Sequence, residues 1–283
     1  MDYAKIGWGL SLLAAGRGLE ERISLYHEHG VQVMAGGTLL ELAEHRGVLE
    51  EALGALWEAG FDAVEVSAGT KLIPMSRRVR IAEKASRMGF RVFAEVGRKK
   101  PLLKMTVREM LSEIGEWLET GLAFKVVVEG REAGRDSCIW DERGMLRHQV
   151  LERIVSRFPR ESLVFEAPHP WQQAVLIRKL GPEVNLGNIP LYDVPALESL
   201  RRGLRGDTFA AGDASALWLN SPPSVKFTYF VLQRYGLLSV KDIVMITGLP
   251  QRTVYDALYY LRDRGLADSV ADPETGEKKW YAL

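Results

Sequence analysis

Seven short apolar runs of strand character recur between residues 3 and 189, and the intervals between them hold amphipathic helical segments. The runs are Tyr3–Gly9, Val31–Ala35, Ala63–Ser67, Arg91–Val96, Ala123–Glu129, Leu163–Ala167 and Val184–Ile189. The helical segments include Leu49–Ala59, Arg77–Met88, Val107–Glu119, Leu146–Phe158, Trp171–Leu180 and Val194–Arg202. Such alternation commits a chain to a parallel sheet covered by helices. Gly60, Gly89 and Gly121 stop three of the helices, as a C-cap requires. The pattern predicts an α/β fold of the (β/α) barrel type, with seven strands where a closed barrel of that type has eight. An open doubly wound sheet carries the same alternation.

The fifth run, with Lys125, Val126, Val127, Val128 and Glu129, leads into Gly130-Arg131-Glu132-Ala133-Gly134. Side chains alternate faces along a strand, so Lys125, Val127 and Glu129 share one face. The other runs carry similar charges: Lys5 beside Ile6, Glu65 between Val64 and Val66, Glu95 between Ala94 and Val96, and Glu166 before Ala167-Pro168. Asn185 and Asn188 bracket Leu186-Gly187. Charges on strands this apolar predict a polar barrel interior. Glu95, Glu129, Glu166 and Asn188 fall at or near the C-terminal strand ends, where barrel enzymes hold their reacting groups, and Lys5 and Lys125 fall earlier.

Four interior carboxylates against two lysines leave an excess of negative charge. Burial makes that costly, and a site of this kind recruits a cation or protonates a carboxyl. Oxygen donors favour Mg²⁺, with Glu65, Glu95 and Glu166 as candidate ligands. The five histidines are scattered and there is one cysteine, Cys138, so no zinc set is formed. His169 stands apart because it follows the sixth run. A desolvated lysine can serve as a general acid, which makes Lys125 the candidate proton donor beside Glu129, Arg131 and Glu132. Barrel interiors also hold Lys–Glu pairs that only satisfy each other, and both readings stand at this point.

Three loops follow strands on that same face: Gly36-Gly37-Thr38, Ser67-Ala68-Gly69-Thr70 and Gly97-Arg98-Lys99-Lys100. Backbone N–H groups at such turns, with Lys5, Lys99 or Lys100, are suited to an anionic substrate, and Gly37, Thr38, Asn185 and Asn188 join them as candidate phosphate-binding residues.

The whole chain gives no electrostatic pull toward nucleic acid or an anionic membrane, since Lys+Arg and Asp+Glu both number 37. The single cysteine permits no intramolecular disulfide, no run reaches the ~18 apolar residues of a membrane helix, and the first residues have no signal-peptide pattern. A soluble cytoplasmic protein is the expectation.

Past residue 208 the texture changes. Residues 1–208 read as the barrel domain, 209–223 as a linker and 224–283 as a small helical domain. Helices over Lys226–Tyr235, Val240–Thr247 and Gln251–Arg264 precede a hairpin of Leu266–Ala271 and Lys278–Leu283, the pattern of a winged helix-turn-helix. Gln251, Arg252, Thr253 and Tyr255 begin the third helix, where base edges would be read, and Lys278 and Lys279 on the wing would touch phosphates. Eight Lys/Arg against seven Asp/Glu over 224–283 is a weak charge balance for DNA, and a dimerising winged helix is the competing reading.

Gly7-Trp8-Gly9, Gly36-Gly37-Thr38-Leu39, Glu65-Val66-Ser67, Glu95-Val96-Gly97, Glu129-Gly130-Arg131-Glu132, Phe165-Glu166-Ala167-Pro168, Val184-Asn185-Leu186-Gly187-Asn188-Ile189 and Gly203-Leu204-Arg205-Gly206-Asp207-Thr208, in this order, resemble the phosphosulfolactate synthase family. The resemblance covers residues 3–208. It implies a TIM barrel that adds sulfite to phosphoenolpyruvate with Mg²⁺, on the route to coenzyme M. Plant heat-stress relatives share the barrel. It also implies sulfite attack on the methylene carbon, a cation for the developing aci-carboxylate, and a proton for the phosphate-bearing carbon, which falls to Lys125. Three departures accompany it. A first strand ending in a Thr-x-x-x-Asp-x-Gly pattern has no counterpart here, the family's Ser-Asp-Gly is Ser67-Ala68-Gly69, and residues 224–283 are an addition.

Two functional readings follow, with a third beside them. One is a Mg²⁺-dependent carbon–sulfur lyase acting on phosphoenolpyruvate and sulfite. Another is a DNA-binding regulator whose barrel senses a phosphorylated or sulfonated metabolite. The third is an inactive assembly module. A homo-oligomer is expected in each.

Overall fold

A computed structural model of the chain describes residues 1–7, 9, 17–98, 105–208, 221–272 and 276–282. The chain divides into two compact units, Met1–Val175 with Val184–Pro195, and Leu176–Glu183 with Ala196–Leu283. The linker expected over 209–223 lies largely outside the described residues, as do Trp8, Lys99 and Lys100.

The first unit is built on seven parallel strands paired in chain order: β1 (Tyr3–Ile6), β2 (Gln32–Ala35), β3 (Ala63–Val66), β4 (Arg91–Val96), β5 (Lys125–Val128), β6 (Leu163–Glu166) and β7 (Leu186–Gly187). Helices α1 (Arg17–Glu28), α2 (Gly37–Arg46), α3 (Leu49–Glu58), α4 (Met75–Arg87), α5 (Val107–Thr120), α6 (His148–Arg157), α7 (Pro170–Leu180) and α8 (Val194–Arg201) connect or follow them, the last two reaching into the second unit. Local chemistry sets several boundaries. Thr106 and Glu109 close a capping box at the start of α5, and Gly121 ends that helix in the left-handed region at φ 66°. Gly37 and Thr38, read as loop in the sequence, open α2 with Gly36 as the extended N-cap. Consecutive glycines are poor helix formers, so propensity hides this start.

The sheet is curled. In a flat sheet β1 and β6 would lie five strand spacings apart, about 24 Å. Lys5 on β1 nevertheless reaches Glu166 on β6 at 3.1 Å, and the rings of Tyr3 on β1 and Phe93 on β4 sit 4.9 Å apart. Neither side chain pair can span a flat sheet, so the strands wrap round a common axis as a partial barrel. Among the described residues no ladder joins β7 to β1, and the sheet is open along that seam.

Two layers fill the concave side. Met34, Ala63, Phe93 and Val127 form an apolar plug, with Tyr3 and Val164 packed against it. Burying such a side chain is worth about 1.5–3 kcal/mol, which makes this interior a core and not a pore. Two residues further along five of the strands, on the same face, stand Lys5, Glu65, Glu95, Glu129 and Glu166. A charged layer therefore lies directly over the plug at the C-terminal strand ends.

The second unit contains α9 (Pro223–Tyr235), β8 (Leu238–Ser239), α10 (Val240–Thr247), α11 (Gln251–Arg262), β9 (Ala267–Ala271) and β10 (Lys278–Ala282). Its small sheet is antiparallel in the order β8-β10-β9, and β8 was not foreseen from the sequence. Ser239 and Asp242 cap α10, and Val254, Leu258, Leu261 and Trp280 are fully enclosed in its core.

Candidate active site

Lys5 is the centre of the charged layer. Its ammonium donates to Glu65 Oε2 at 3.0 Å and to Glu166 Oε1 at 3.1 Å. Each carboxylate spends its second oxygen on a backbone amide of the neighbouring loop. Glu65 Oε1 accepts from Gly37 N at 3.1 Å, and Glu166 Oε2 accepts from Gly130 N at 3.0 Å. Both glutamates are buried, and the Lys5 side chain keeps 27% exposure. Desolvation pushes the Lys5 ammonium down, but the charges of Glu65, Glu166 and Glu95, with the hydrogen bond to Glu65, outweigh it and hold the group well above the usual lysine range. Lys5 is thus a fixed cation.

Glycine is needed where the loop crosses this layer. A Cβ on Gly130 would stand 2.5 Å from the Glu166 carbonyl oxygen, so only glycine lets the β5 loop approach closely enough to give its amide to the Glu166 carboxylate.

Glu95 and Glu129 are buried in the same layer on adjacent strands. Glu129 Oε1 accepts from Arg131 N at 2.8 Å. Arg131 sits at φ 59°, a costly conformation for a side chain of its size. The turn aims its guanidinium at the carbonyl of Arg98, at 2.9 and 3.2 Å, and at Asp136 at 3.2 Å. Arg131 therefore staples the loops after β4 and β5 together. Arg98 is braced in turn by Glu113 at 3.1 Å, which also holds the buried Arg78 at 2.5 Å.

One residue of this face went unnoticed in the sequence. Glu41, buried on α2, accepts from Ser67 Oγ at 2.5 Å, Gly69 N at 3.0 Å, Thr70 N at 3.0 Å and Lys71 N at 2.8 Å. The turn read as a phosphate cradle is filled by the protein's own carboxylate. An acidic residue on an apolar helix face, Leu39-Leu40-Glu41, was the available signal.

The other expected site residues divide. Lys125 shares the inward face but lies below the plug, at the N-terminal end of β5. Its ammonium donates to the Glu161 carbonyl at 2.5 Å and stands 5.1 Å from the Phe124 ring centroid. Lys125 falls earlier on the strand than Glu129, as the sequence places it, and the structure does not bring the two side chains together. Asn185 also lies at that lower end, where it donates to the Leu163 carbonyl at 2.9 Å. Asn188 follows β7 at φ 56°, on the side of the charged layer. Thr38 is half-buried at the start of α2, and Glu132 is exposed. Among the described residues no group of three or more His, Cys, Asp or Glu converges to hold a metal. The trio Glu65, Glu95 and Glu166 makes no such cage, because Lys5 stands between two of its members.

In the second unit, Gln251, Arg252 and Tyr255 are exposed at the start of α11, and Thr253 is half-buried. Lys278 lies over Trp280 at 4.8 Å, and Lys279 pairs with Asp272 at 2.7 Å. Among the described residues no helix is long and apolar enough to cross a membrane.

The family model for (2R)-phospho-3-sulfolactate synthase (ComA) matches residues 1–207. Phosphosulfolactate synthase of Methanocaldococcus jannaschii is 37% identical over 211 residues, covering 74% of this chain and 84% of its own length. Its counterparts in Methanothermobacter thermautotrophicus and Bacillus subtilis are each 39% identical, over 74% of this chain and 81% and 82% of theirs.

Proposed function

Because the chain belongs to the phosphosulfolactate synthase family, we propose that its curled sheet adds sulfite to phosphoenolpyruvate, giving (2R)-phospho-3-sulfolactate. The observation that carries this reading is the charged layer: four buried glutamates round one ammonium, at the strand ends where such folds do their chemistry.

Both substrates are anions, and the layer itself carries four carboxylates against the one ammonium of Lys5. Coulomb repulsion alone would keep the substrates out unless further positive charge is supplied. The donors are all oxygen, which suits Mg²⁺, an ion usually held by one or two carboxylates together with substrate oxygens and water. Glu95 and Glu129, buried side by side at the ends of neighbouring strands, are the residues that would hold it. When bound, Mg²⁺ supplies Lewis-acid stabilisation of the negative charge that develops on the substrate carboxylate.

The protein's own groups do the remaining work. Lys5 holds Glu65 and Glu166 in place, and through them the amides of Gly37 and Gly130. Arg131, anchored to Arg98 and Asp136, holds the two loops that flank the layer. The plug of Phe93, Val127 and their neighbours closes the lower end to water. A proton must reach the phosphate-bearing carbon after sulfite attacks the methylene carbon. Lys99 and Lys100 follow Arg98 directly in the sequence and are lysines to test for that role beside Lys125.

Incubation of the purified chain with phosphoenolpyruvate, sulfite and Mg²⁺ tests the reading. Phosphosulfolactate is expected as product, and none above background overturns it.

The C-terminal elements, in the order helix, strand, helix, helix, strand, strand, support reading residues 223–282 as a winged helix. Gln251 and Arg252 would face bases if it binds DNA, but Lys279 is engaged by Asp272 and the charge balance stays near even. A gel shift with promoter DNA that falls away in Arg252→Ala supports DNA binding, and no shift at low salt removes it.

A further inference from the structure

The loop after β5 and the start of α7 border an open hollow of about 270 Å³ whose lining includes none of the carboxylate layer. Its lining includes Gly134, Arg135, Arg143, Gly144, His169 and Trp171, with no carboxylate among them. We propose that this hollow is a second anion site, taking a small molecule that carries a phosphate or sulfonate group.

The charges point that way. Two guanidiniums line one small space, and among the ion pairs of the described residues neither Arg135 nor Arg143 has a partner. Two of the nearby acids are committed elsewhere, and Glu142 and Glu132 are exposed and absent from the lining. Asp136 binds Arg131 at 3.2 Å, and Asp141 Oδ1 accepts the backbone N–H groups of Arg143 and Met145, each at 2.8 Å. Both arginines are exposed, which leaves their fork-shaped donors available to a tetrahedral oxyanion in the hollow.

The walls are fixed in advance. Gln172, wholly buried, donates its side-chain amide to the carbonyls of Gly134 at 2.6 Å and Gly144 at 3.2 Å, tying the two sides of the loop together. His169 Nε2 meets the Ala133 carbonyl at 3.1 Å, which orients the ring. A Cβ on Gly134 would fall 2.5 Å from His169 Cδ2, so the left-handed glycine at φ 60° is what lets the imidazole lie against the floor. His169 and Trp171 stack with centroids 6.0 Å apart and planes 10° apart, and the edge of Trp140 meets Trp171 at 6.1 Å. Trp171, 40% exposed, thus offers a held aromatic face beside the two cations, suited to the carbon skeleton of the ligand.

The oxyanion has two possible sources, the substrate or product of the carboxylate layer, or a separate metabolite. The test uses calorimetry on the full chain with inorganic phosphate, inorganic sulfate and phosphoenolpyruvate in turn, at low ionic strength. Wild-type protein is expected to bind at least one of them. Arg135→Gln/Arg143→Gln is expected to weaken that binding by about tenfold or more with an unchanged melting temperature. Trp171→Phe should preserve binding of the inorganic ions and remove the tryptophan fluorescence change that accompanies it. If phosphate then raises the KM for phosphoenolpyruvate in competitive fashion, the group belongs to the substrate; if it alters kcat alone, it belongs to a separate ligand. The proposal is overturned if wild-type protein binds none of the three, or if the double variant binds them as tightly as wild type. Because the readout is binding, either result stands whether or not the carboxylate layer turns over sulfite.

Discussion

Lys5 on the first strand and Glu166 on the sixth meet at 3.1 Å across the concave face, and the same ammonium reaches Glu65 on the third strand at 3.0 Å. One cation thus ties together three strands of a sheet whose outer edges are not joined among the described residues. Removing it leaves two buried carboxylates facing each other. Lys5→Met is expected to cost about 3–5 kcal/mol, the usual cost of breaking a buried ion pair from one side. The sign of its pH dependence is fixed. The folded-state pKa of Lys5 is raised, so its contribution is complete below the unfolded lysine value and is lost only as pH rises through the raised one. Wild-type stability should therefore show no Lys5 titration between about pH 6 and 9. Urea denaturation of wild type at pH 6 and pH 9, and of Lys5→Met beside it, checks both, and a variant as stable as wild type would remove the bridging role.

Lys125 should prove dispensable for turnover. Its ammonium is bonded to the Glu161 carbonyl at the far side of the plug from the carboxylate layer. Lys125→Ala is expected to keep kcat/KM within about threefold of wild type, while loss of a proton donor typically costs about a hundredfold or more. Steady-state kinetics on Lys125→Ala, Lys99→Met and Lys100→Met locate the donor. A hundredfold loss in the first of these would return the role to Lys125.

That contrast shows what was legible in the residues and what was not. Alternation along each strand revealed the inward face correctly, because a period of two is set by backbone geometry alone. It makes the seven parallel strands and the acidic interior legible in the residues alone. Depth along the barrel axis is a different quantity. Between strands it depends on their stagger, such as Phe93 opposite Lys125 but Glu95 opposite Val127, whereas along one strand it is legible, and Lys125 stands well before Glu129. The Lys5 contacts were hidden for a related reason: a residue pairs with partners 60 and 161 positions away only once the sheet has curled. Glu41 was hidden because its partners are mostly backbone amides, which have no signature in side-chain identity.

Glu41 should be one of the more sensitive positions outside the carboxylate layer. It satisfies one hydroxyl and three amides of the β3 loop. Hydrogen bonds to a charged group contribute about 1.5–3 kcal/mol each, and truncation strands several donors at once, so Glu41→Ala is expected to lose at least about 3 kcal/mol. Glu41→Gln keeps the shape but cannot accept with both arms, and should lose roughly half as much. Amide hydrogen exchange at Gly69, Thr70 and Lys71 should quicken in both variants, ahead of the strands. Unchanged exchange there would mean that the loop holds its form without Glu41.

Cys138 offers a chemical readout of the loop that folds over the charged layer. Desolvation, with the nearby charge of Glu129, pushes its thiol up to about 11. A group at that value is about 0.1% thiolate at pH 8, against about a quarter for an ordinary cysteine near 8.5. Alkylation by iodoacetamide at pH 8 should be slower in the native protein than in urea by about two hundredfold, before any steric protection is counted. The native rate should climb steadily up to about pH 11, where an open thiol would already have levelled off near pH 9. Glu129→Gln takes away one cause of the shift and leaves desolvation in place. It should raise the native rate at pH 8 while leaving the rate in urea unchanged. Equal rates in the two native proteins would mean that Glu129 exerts no charge on this thiol, and that the loop lies further from the carboxylate layer than the structure has it.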